Sequence, residues 1–246
     1  MSDCAGSADS GTPSDQLGGG GAHPTSALYV SACEMADVRP WILERHYAKR
    51  MPGNVCAQFA LREGTNIRGV ITYGTAPTPT IQTSLAGPEW ADRVWELNRL
   101  VVEPNLKNGA SLLISKSLKM LPSPRFIVSY ADGGVGHIGY VYQATNWLYI
   151  GAVSAHDAEY LVNGKYVHAR TLTSRGITAP RAWAAANGIE AREPMLKHRY
   201  VFILAPSRRK RAEMLAALRY ATLPYPKGAS SRVGQENPLL VQGTLL

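Results

Sequence analysis

The 246-residue sequence lacks the features that mark disulfide-stapled, zinc-binding or membrane proteins. Its three cysteines, Cys4, Cys33 and Cys56, are odd in number, widely spaced and form no CxxC pair, which argues against a disulfide framework or a zinc motif. No apolar run reaches the ~18 residues that a membrane span needs, and the N-terminus lacks the charged start and apolar core of a secretory signal. The sequence therefore predicts a cytoplasmic protein with no membrane partner.

Acidic residues are also scarce relative to basic ones. Eighteen Asp and Glu face twenty-six Lys and Arg, which gives a formal net charge of +8 and a pI near 9.5. A basic surface favours polyanions, of which nucleic acid is the commonest. The alternative is a basic protein without such a ligand, and the charge alone does not decide between the two.

Composition divides the chain into three parts. Residues 1–26 are rich in Gly, Ser and Asp with few large apolar side chains, which predicts a disordered leader. Residues 27–206 contain the apolar patterns of one folded domain, and residues 207–246 are predicted to form a basic helical extension and a tail. The stretch from 155 to 192 shows no clear pattern and is interpreted as an insertion or a lid.

The apolar periodicity between these limits alternates strands and helices. Val94 to Val102 is a strong strand whose alternation places Trp95, Leu97, Arg99 and Val101 on one face. The order predicts an α/β (α+β) domain with a mostly antiparallel sheet. The remaining predictions are strands at 28–31, 126–130, 147–152 and 200–204, a hairpin of 56–62 with 67–73, helices at 38–47, 110–120, 137–146 and 208–218, and a loop at 75–88.

The turn after this long strand has the pattern of a phosphate-binding site. Backbone N–H groups at the start of the next helix, with the helix dipole behind them, can bind an anion, and a lysine precedes them. The pattern is weak on its own, because an ordinary strand–turn–helix connection has the same appearance. The residues concerned are Lys107, Asn108, Gly109, Ala110 and Ser111.

Two further clusters carry groups suited to catalysis. Asp132 and His137 flank a glycine-rich turn after a buried strand, where loops can approach a ligand closely. A structural role for Asp132, as a helix cap, is the alternative. His46 and Tyr47 end the first helix. Histidine and aspartate side chains together suit iron as ligands, although a His–Tyr pair often has only a packing role.

Basic residues concentrate around the last strand. Cations that neutralise phosphates give sequence-independent affinity for nucleic acid, and aromatic rings nearby can stack on bases. A solvated first helical turn is the alternative for the four-residue basic run, although cations are unfavourable at that end of a helix. The predicted DNA-binding residues are Lys197, Arg199, Arg208, Arg209, Lys210 and Arg211.

Several of these stretches together resemble one known family. Residues 94–100 (VWELNRL) and 129–151 (SYADGGVGHIGYVYQATNWLYIG) are similar to motifs of the Mom proteins, the adenine-modification enzymes of phage Mu and its relatives. Residues 197–202 (KHRYVF) and the C-terminal LRY and PYPK segments resemble further signatures of that family. The resemblance covers roughly residues 28–228.

The resemblance implies a GNAT-like acyltransferase fold and an activity in the bacterial host cell. That activity is addition of a carbamoylmethyl group to the exocyclic amine of adenine in double-stranded DNA, which protects phage DNA from restriction. It also implies dependence on acetyl-CoA and iron. His46, Tyr47 and Asp132 correspond to the expected iron ligands and catalytic groups, and Arg99 to a further site residue. Leu100, Val101, Val102 and residues 107–111 fall where such folds bind coenzyme, although the usual glycine-rich loop motif is missing.

The chemistry and the substrate add two expectations. A redox-active metal suits attachment through the acetyl methyl carbon, which acid–base catalysis does not activate. Adenine must leave the stacked duplex to react, which predicts base flipping with Tyr73, Tyr142 or Trp147 as stacking partners. The alternatives are a conventional GNAT acetyltransferase with Asp132 or Tyr142 as the acid–base group, and an inactive DNA-binding protein with this fold. Oligomeric state is open, with a homodimer as one option.

Overall fold

The computed structural model describes residues 27–133, 136–154, 158–192 and 196–227. These residues form two sheets, whose strands are numbered in chain order. The seven-stranded sheet has the order β1 (28–32), β2 (55–63), β3 (66–75), β4 (94–102), β5 (125–132), β10 (196–204) and β6 (148–154). A separate three-stranded sheet has the order β8 (165–168), β7 (159–162) and β9 (191–192). In the large sheet only β4 and β5 are paired in parallel; its other pairs are antiparallel. The predicted α/β class with a mostly antiparallel sheet is confirmed. The predicted leader 1–26 and the tail beyond 227 lie outside the described residues.

The helices and strands follow the predicted order with adjusted ends. The strands are β1 Leu28–Ala32, β2 Val55–Glu63, β3 Asn66–Thr75, β4 Val94–Val102, β5 Arg125–Asp132, β6 Leu148–Ser154, β7 Glu159–Val162, β8 Lys165–His168, β9 Ala191–Arg192 and β10 Leu196–Leu204. The helices are α1 Met35–Pro40, continued by a π-helical turn Trp41–Arg45, then α2 Pro79–Ala86, a 3-10 turn Pro88–Arg93, α3 Gly109–Leu118, α4 Tyr140–Ala144, α5 Ala169–Ser174, α6 Pro180–Ala186 and α7 Arg208–Ala217.

Both faces of the large sheet are covered by helices. Trp95 and Ile127 belong to the core that packs against α3 and α4, whereas their neighbours Val94 and Phe126 belong to the core under α2 and α7. A third cluster joins α1 to Val70 and Val101. Burial of alternate residues on opposite faces is the pattern that a sheet between two helical layers requires.

A register shift in β4 overturns the predicted side-chain alternation. Thr72 of β3 pairs with Arg99 while the next residue, Tyr73, pairs with Leu97, so Asn98 is an extra residue in β4. A bulge of this kind reverses the alternation beyond it. Arg99 therefore lies on the face opposite Leu97, which was predicted to share its face.

The predicted loop at 75–88 was wrong for Pro79–Ala86, which form helix α2. Thr78 accepts a hydrogen bond from the N–H of Ile81 at the start of this helix, and Pro79 occupies its first turn. Thr at an N-cap and Pro just after it are favourable helix-start residues. The Pro and Thr content that suggested a loop therefore marks a helix N-terminus.

The unpatterned stretch between β6 and β10 is an insertion with its own small core. Sheet β8-β7-β9 packs with α5 and α6 around Tyr160, Leu172 and Ala184, which are nearly inaccessible to solvent. The described residues 158–192 thus form a small unit with its own core between β6 and β10, and the interpretations of this stretch as an insertion or a lid stay predictions. Among the helices that the structure describes, none combines the length and apolarity needed to cross a membrane.

Candidate functional site

Strands β4 and β5 are paired in parallel only near their amino-terminal ends. Pairing runs from Val94 with Phe126 to Glu96 with Val128 and is not continued beyond that point. Ser129 Oγ lies 3.0 Å from the carbonyl oxygen of Leu97, so a side chain continues the contact where the backbone ladder stops. The carboxyl ends of the two strands thus open into a mouth, and ligands in α/β folds collect outside such strand ends.

His46 and Tyr47 lie at this mouth because the π-helical turn ends at His46, whose backbone is extended. The Nδ1 atom of His46 accepts a hydrogen bond of 3.0 Å from the backbone N–H of Ala48. The Tyr47 ring stacks on the His46 ring with centroids 4.3 Å apart, yet 55% of Tyr47 is exposed. Burial, aided by Arg99 and His137, lowers the pKa of His46 to about 4, so the imidazole is neutral at physiological pH.

Glu96 is a site residue that the sequence reasoning did not single out. Burial raises the pKa of its carboxyl to about 7, against the opposing attraction of Arg99 and Lys197. A carboxyl that titrates near neutral pH can take or give a proton during catalysis. The available signal was a lone carboxylate inside the apolar run VWELNRLVV, within the motif that carried the family resemblance.

Arg99 shares this face of β4 with Glu96 because of the bulge at Asn98. Its Nε donates to the carbonyl oxygen of Arg50 at 3.1 Å and its Nη1 to that of Asn98 at 2.6 Å. Burial lowers its pKa, while Tyr47 and Glu96 act in the opposite direction. Since a guanidinium remains charged in proteins, Arg99 contributes a fixed positive charge between Tyr47 and Glu96.

Asp132 closes the other side of the mouth at the end of β5. Its carboxylate lies 3.6 Å from the ammonium of Lys197, its neighbour on β10, and it acts electrostatically on Tyr47 and His137. Burial lowers the pKa of His137, whose ring contacts the Tyr47 ring edge-on at 6.1 Å. The predicted residues His46, Tyr47, Arg99, Asp132 and Lys197 are therefore brought together by four separate elements.

The predicted iron ligands do not form a metal site in this arrangement. A neutral imidazole whose Nδ1 accepts the Ala48 N–H carries its proton on Nε2, by assignment from the hydrogen bond, so neither nitrogen of His46 offers a free lone pair. Burial, followed by the charge of Asp132, raises the pKa of Tyr47. Among the described residues no group of three or more His, Cys, Asp and Glu side chains is arranged to hold a metal ion.

The predicted coenzyme residues line the same strand and the start of α3. Val101 and Val102 are buried, whereas Lys107 and Asn108 are exposed ahead of the helix. The N–H of Gly109 was expected to face a phosphate, but it donates to the carbonyl oxygen of Leu106 at 3.0 Å. An anion at this helix would therefore bind to the following N–H groups, those of Ala110 and Ser111. Leu100, the remaining predicted coenzyme residue, packs partly into the core.

The predicted base-stacking residues are wrong. Tyr73 and Trp147 are fully buried and Tyr142 is 7% exposed, so none presents a ring face to DNA. The hydroxyl of Tyr142 lies 2.8 Å from Ser129 Oγ inside the core, and burial raises its pKa above the ordinary value. Large aromatic rings stabilise the core here, and their sequence context did not distinguish burial from exposure.

The predicted DNA-binding residues divide into two distant groups. Lys197 lies at the mouth, but the run Arg208–Arg211 begins α7 after the opposite end of β10, about 23 Å away at ~3.3 Å per strand residue. The Arg199 guanidinium stacks on the Tyr220 ring at 4.1 Å, and Lys210 pairs with Glu213 at 2.7 Å. The structure therefore does not bring the basic run to the candidate site.

Comparison with known proteins gives a family and a set of similar folds. The model of the Mom protein family matches residues 27–227. The methylcarbamoylase mom of Escherichia phage Mu is 29% identical over 196 residues, which cover 77% of this chain and 79% of that protein. Two similar solved structures are an N-acetyltransferase from Staphylococcus aureus and a GNAT-family acetyltransferase from Bacillus cereus. Their TM-scores are 0.43 and 0.39, their identities 13% and 14%, and the alignments cover 73% and 72% of this chain and 99% and 98% of those chains. The mixed, mostly antiparallel sheet between helical layers agrees with the α/β class predicted from the sequence.

Proposed function

The chain belongs to the Mom protein family, and from this membership we propose that it is an enzyme that modifies adenine in double-stranded DNA. The proposed product carries a carbamoylmethyl group on the exocyclic amine, and acetyl-CoA is the proposed source of its two carbons. Joining the methyl carbon to the adenine nitrogen breaks a C–H and an N–H bond and requires a two-electron oxidant as co-reactant. The amide requires an ammonia-level nitrogen donor, which displaces the coenzyme thiol from the carbonyl carbon. The single observation that carries the proposal is the match of the Mom protein family model to residues 27–227. The Glu96 carboxyl at the mouth of β4 and β5, whose pKa burial raises to about 7, supplies a proton acceptor there.

The proposed role of Glu96 is to accept a proton from the reacting exocyclic amine. Near neutral pH the carboxyl is partly ionised, which is the condition for efficient proton transfer. Arg99 and Lys197 are the two cations that act on this carboxyl. In the proposal they orient Glu96 and balance negative charge that develops on the bound reactants.

Tyr47 is the proposed platform for the flipped adenine. Tyr47 is 55% exposed as a residue, lies at the mouth and has one ring face stacked on the His46 ring. An aromatic face that is open to solvent and fixed in position can stack on an extruded base. Asp132 is proposed to position Tyr47 and Lys197, with which it interacts.

Acetyl-CoA is proposed to lie along β4 towards the start of α3. This assignment is supported by the unpaired opening between β4 and β5 and by the N–H groups of Ala110 and Ser111 at the start of α3. Iron does not enter the proposed roles, because His46 offers no free nitrogen lone pair to a metal in this arrangement.

The second candidate is conventional acetyl transfer, which the Glu96 carboxyl also favours. An amine would attack the thioester carbonyl, Glu96 would take the amine proton, and the coenzyme thiolate would leave. The substrate would be a protein, a small molecule or the base itself.

Nucleoside mass spectrometry of plasmid DNA from cells that express the protein tests the proposal. A carbamoylmethyl group adds about 57 Da to adenosine, whereas an acetyl group adds about 42 Da, so the two group transfers to the exocyclic amine are distinguishable. The heavier species is the expected result. Unmodified DNA together with abundant folded protein would refute the proposal, and the lighter species would favour acetyl transfer.

A further inference from the structure

A cavity of about 480 Å³ lies next to the candidate site, between α4 and the C-terminal segment 223–227. Its wall includes Ile138, Tyr140, Gln143, Tyr225 and Lys227. Ile138 directly follows His137, whose ring contacts Tyr47 at the mouth. A residue of the cavity wall is thus the chain neighbour of a residue of the candidate site. The volume of the cavity is within the range of small-ligand pockets.

The walls of this cavity differ from the core in presenting aromatic rings to solvent. Tyr140 is 62% exposed and Tyr225 is 42% exposed. Both carry large apolar rings that a folded domain would otherwise bury, and such rings are a common surface for stacking planar ligands. Lys227 supplies a cation beside them.

The Tyr225 ring is held in place by the strand it covers. Its hydroxyl donates to the carbonyl oxygen of Trp147 at 2.8 Å, and its ring lies 6.5 Å from that of Tyr200. The backbone of Leu223 also donates to Tyr149 at 2.9 Å, which fastens the segment to β6. A ring fixed before binding loses little entropy when a ligand stacks on it.

We propose that this cavity is a second base-stacking subsite, which takes a nucleobase of DNA that flanks the modified adenine and holds its phosphate against Lys227. The inference rests on the proposed function, since it supplies the contact for the base next to the one at Tyr47. Stacking accepts any base, so the subsite contributes affinity and strand position without sequence preference.

The position of the cavity favours DNA over the coenzyme as the occupant. The segment that forms its C-terminal wall is hydrogen-bonded through Leu223 to β6, the edge strand of the large sheet, where a duplex can approach from solvent. The proposed coenzyme residues lie instead on β4 and at the start of α3, and α3 begins at Gly109. A purine with a phosphate is common to both ligands, so the test measures both.

The experiment compares dissociation constants for a fluorescein-labelled DNA duplex, by anisotropy, and for acetyl-CoA, by calorimetry. Tyr140→Leu and Tyr225→Leu remove the ring faces, whereas Tyr140→Phe and Tyr225→Phe retain them. Tyr29→Leu is the matched control, because Tyr29 is 47% exposed on β1 at the opposite edge of the sheet. Thermal unfolding verifies that each variant is folded, and the strongly exposed Tyr140 carries the test if Tyr225→Leu does not fold.

We expect each Leu variant to weaken DNA binding about tenfold, since one stacked base contributes about 1–3 kcal/mol. The Phe variants and Tyr29→Leu are expected to bind DNA within about twofold of the wild type, and acetyl-CoA affinity is expected to stay unchanged. Equal DNA binding by Tyr140→Leu would overturn the inference while leaving the proposed function intact. Loss of acetyl-CoA affinity instead would assign the cavity to the coenzyme, and a wild type without DNA affinity would remove both proposals.

Discussion

Glu96→Gln should reduce the loss of folding stability that the wild type suffers as pH rises from about 5 towards neutral. In the folded protein burial raises the pKa of Glu96 from 4.5 to about 7, so the folded state holds this proton over a pH range in which the unfolded chain has released it. Because the unfolded state binds fewer protons there, the free energy of unfolding of the wild type falls as pH rises from about 4.5 to 7. Gln has no such titration.

The magnitude follows from the difference in pKa. About 2.5 pKa units at 1.36 kcal/mol each correspond to about 3 kcal/mol over the whole titration. About 2.5 kcal/mol of this falls between pH 5 and pH 8.5. The comparison between these two pH values cancels any constant effect of the substitution, such as an altered hydrogen bond. It also removes the opposite trend of His46, whose lowered pKa stabilises the fold as pH rises through about 4 to 6.5 in both proteins.

Urea unfolding of both proteins at the two pH values provides the measurement. The unfolding free energy of Glu96→Gln minus that of the wild type should grow by about 2.5 kcal/mol from pH 5 to pH 8.5. A difference that does not change with pH would show that Glu96 titrates like an exposed carboxylate, and the role proposed for it as a neutral-pH base would be refuted.

Three other experiments test separate parts of the structure. Asp132→Ala should lower DNA modification at least about 100-fold without unfolding the protein, because Asp132 positions Tyr47 and Lys197. Nucleoside mass spectrometry measures this, with Asp92→Ala as the control, and full activity of Asp132→Ala would exclude the role. Gly139→Ala should destabilise by more than about 2 kcal/mol in urea unfolding, since φ is +80° and a Cβ would lie 2.3 Å from the Tyr200 ring. Gly164→Ala, at φ +72° with open space, isolates the backbone part at about 1 kcal/mol, and equal losses would contradict the predicted clash. Replacement of the basic residues of 208–211 by Ala should reduce the salt dependence of DNA binding less than Lys197→Ala does, because the run lies at the far end of β10. Anisotropy titrations over a series of salt concentrations measure this dependence, and a larger reduction from the 208–211 variant would contradict the prediction.

Local patterns predicted most of the fold. The hairpin β2–β3 and the strand β4 were predicted because apolar alternation and turn residues are encoded within a few positions. The bulge at Asn98 was not, since it arises from pairing with β3 and leaves no trace in β4 alone. The same bulge places Arg99 on the face of Glu96, which is why the site could not be assembled from alternation.

The candidate site was predicted in its parts and missed in its arrangement. His46, Tyr47 and Asp132 were predicted from their place in the motifs. The tautomer of His46, however, is set by a hydrogen bond from the backbone N–H of Ala48, which a sequence motif does not reveal. Burial likewise decided against Trp147 as a stacking residue and raised the pKa of Glu96. Nearness in sequence was misleading for Arg208, because a strand carries the chain from the mouth to the other end of the sheet.

The place of β10 in the sheet has a consequence for folding during synthesis. This strand lies between β5 and β6, yet it follows both in the chain and is separated from them by the insertion. While the ribosome is still making the insertion, β5 and β6 each lack the neighbour that will join them, and their edges are open to incorrect pairing. The insertion, whose core at Tyr160 and Leu172 is its own, can form during that interval and bring the end of the chain back to the gap. Completion of the large sheet therefore depends on the arrival of one late strand, and the mouth between β5 and Lys197 cannot exist before it.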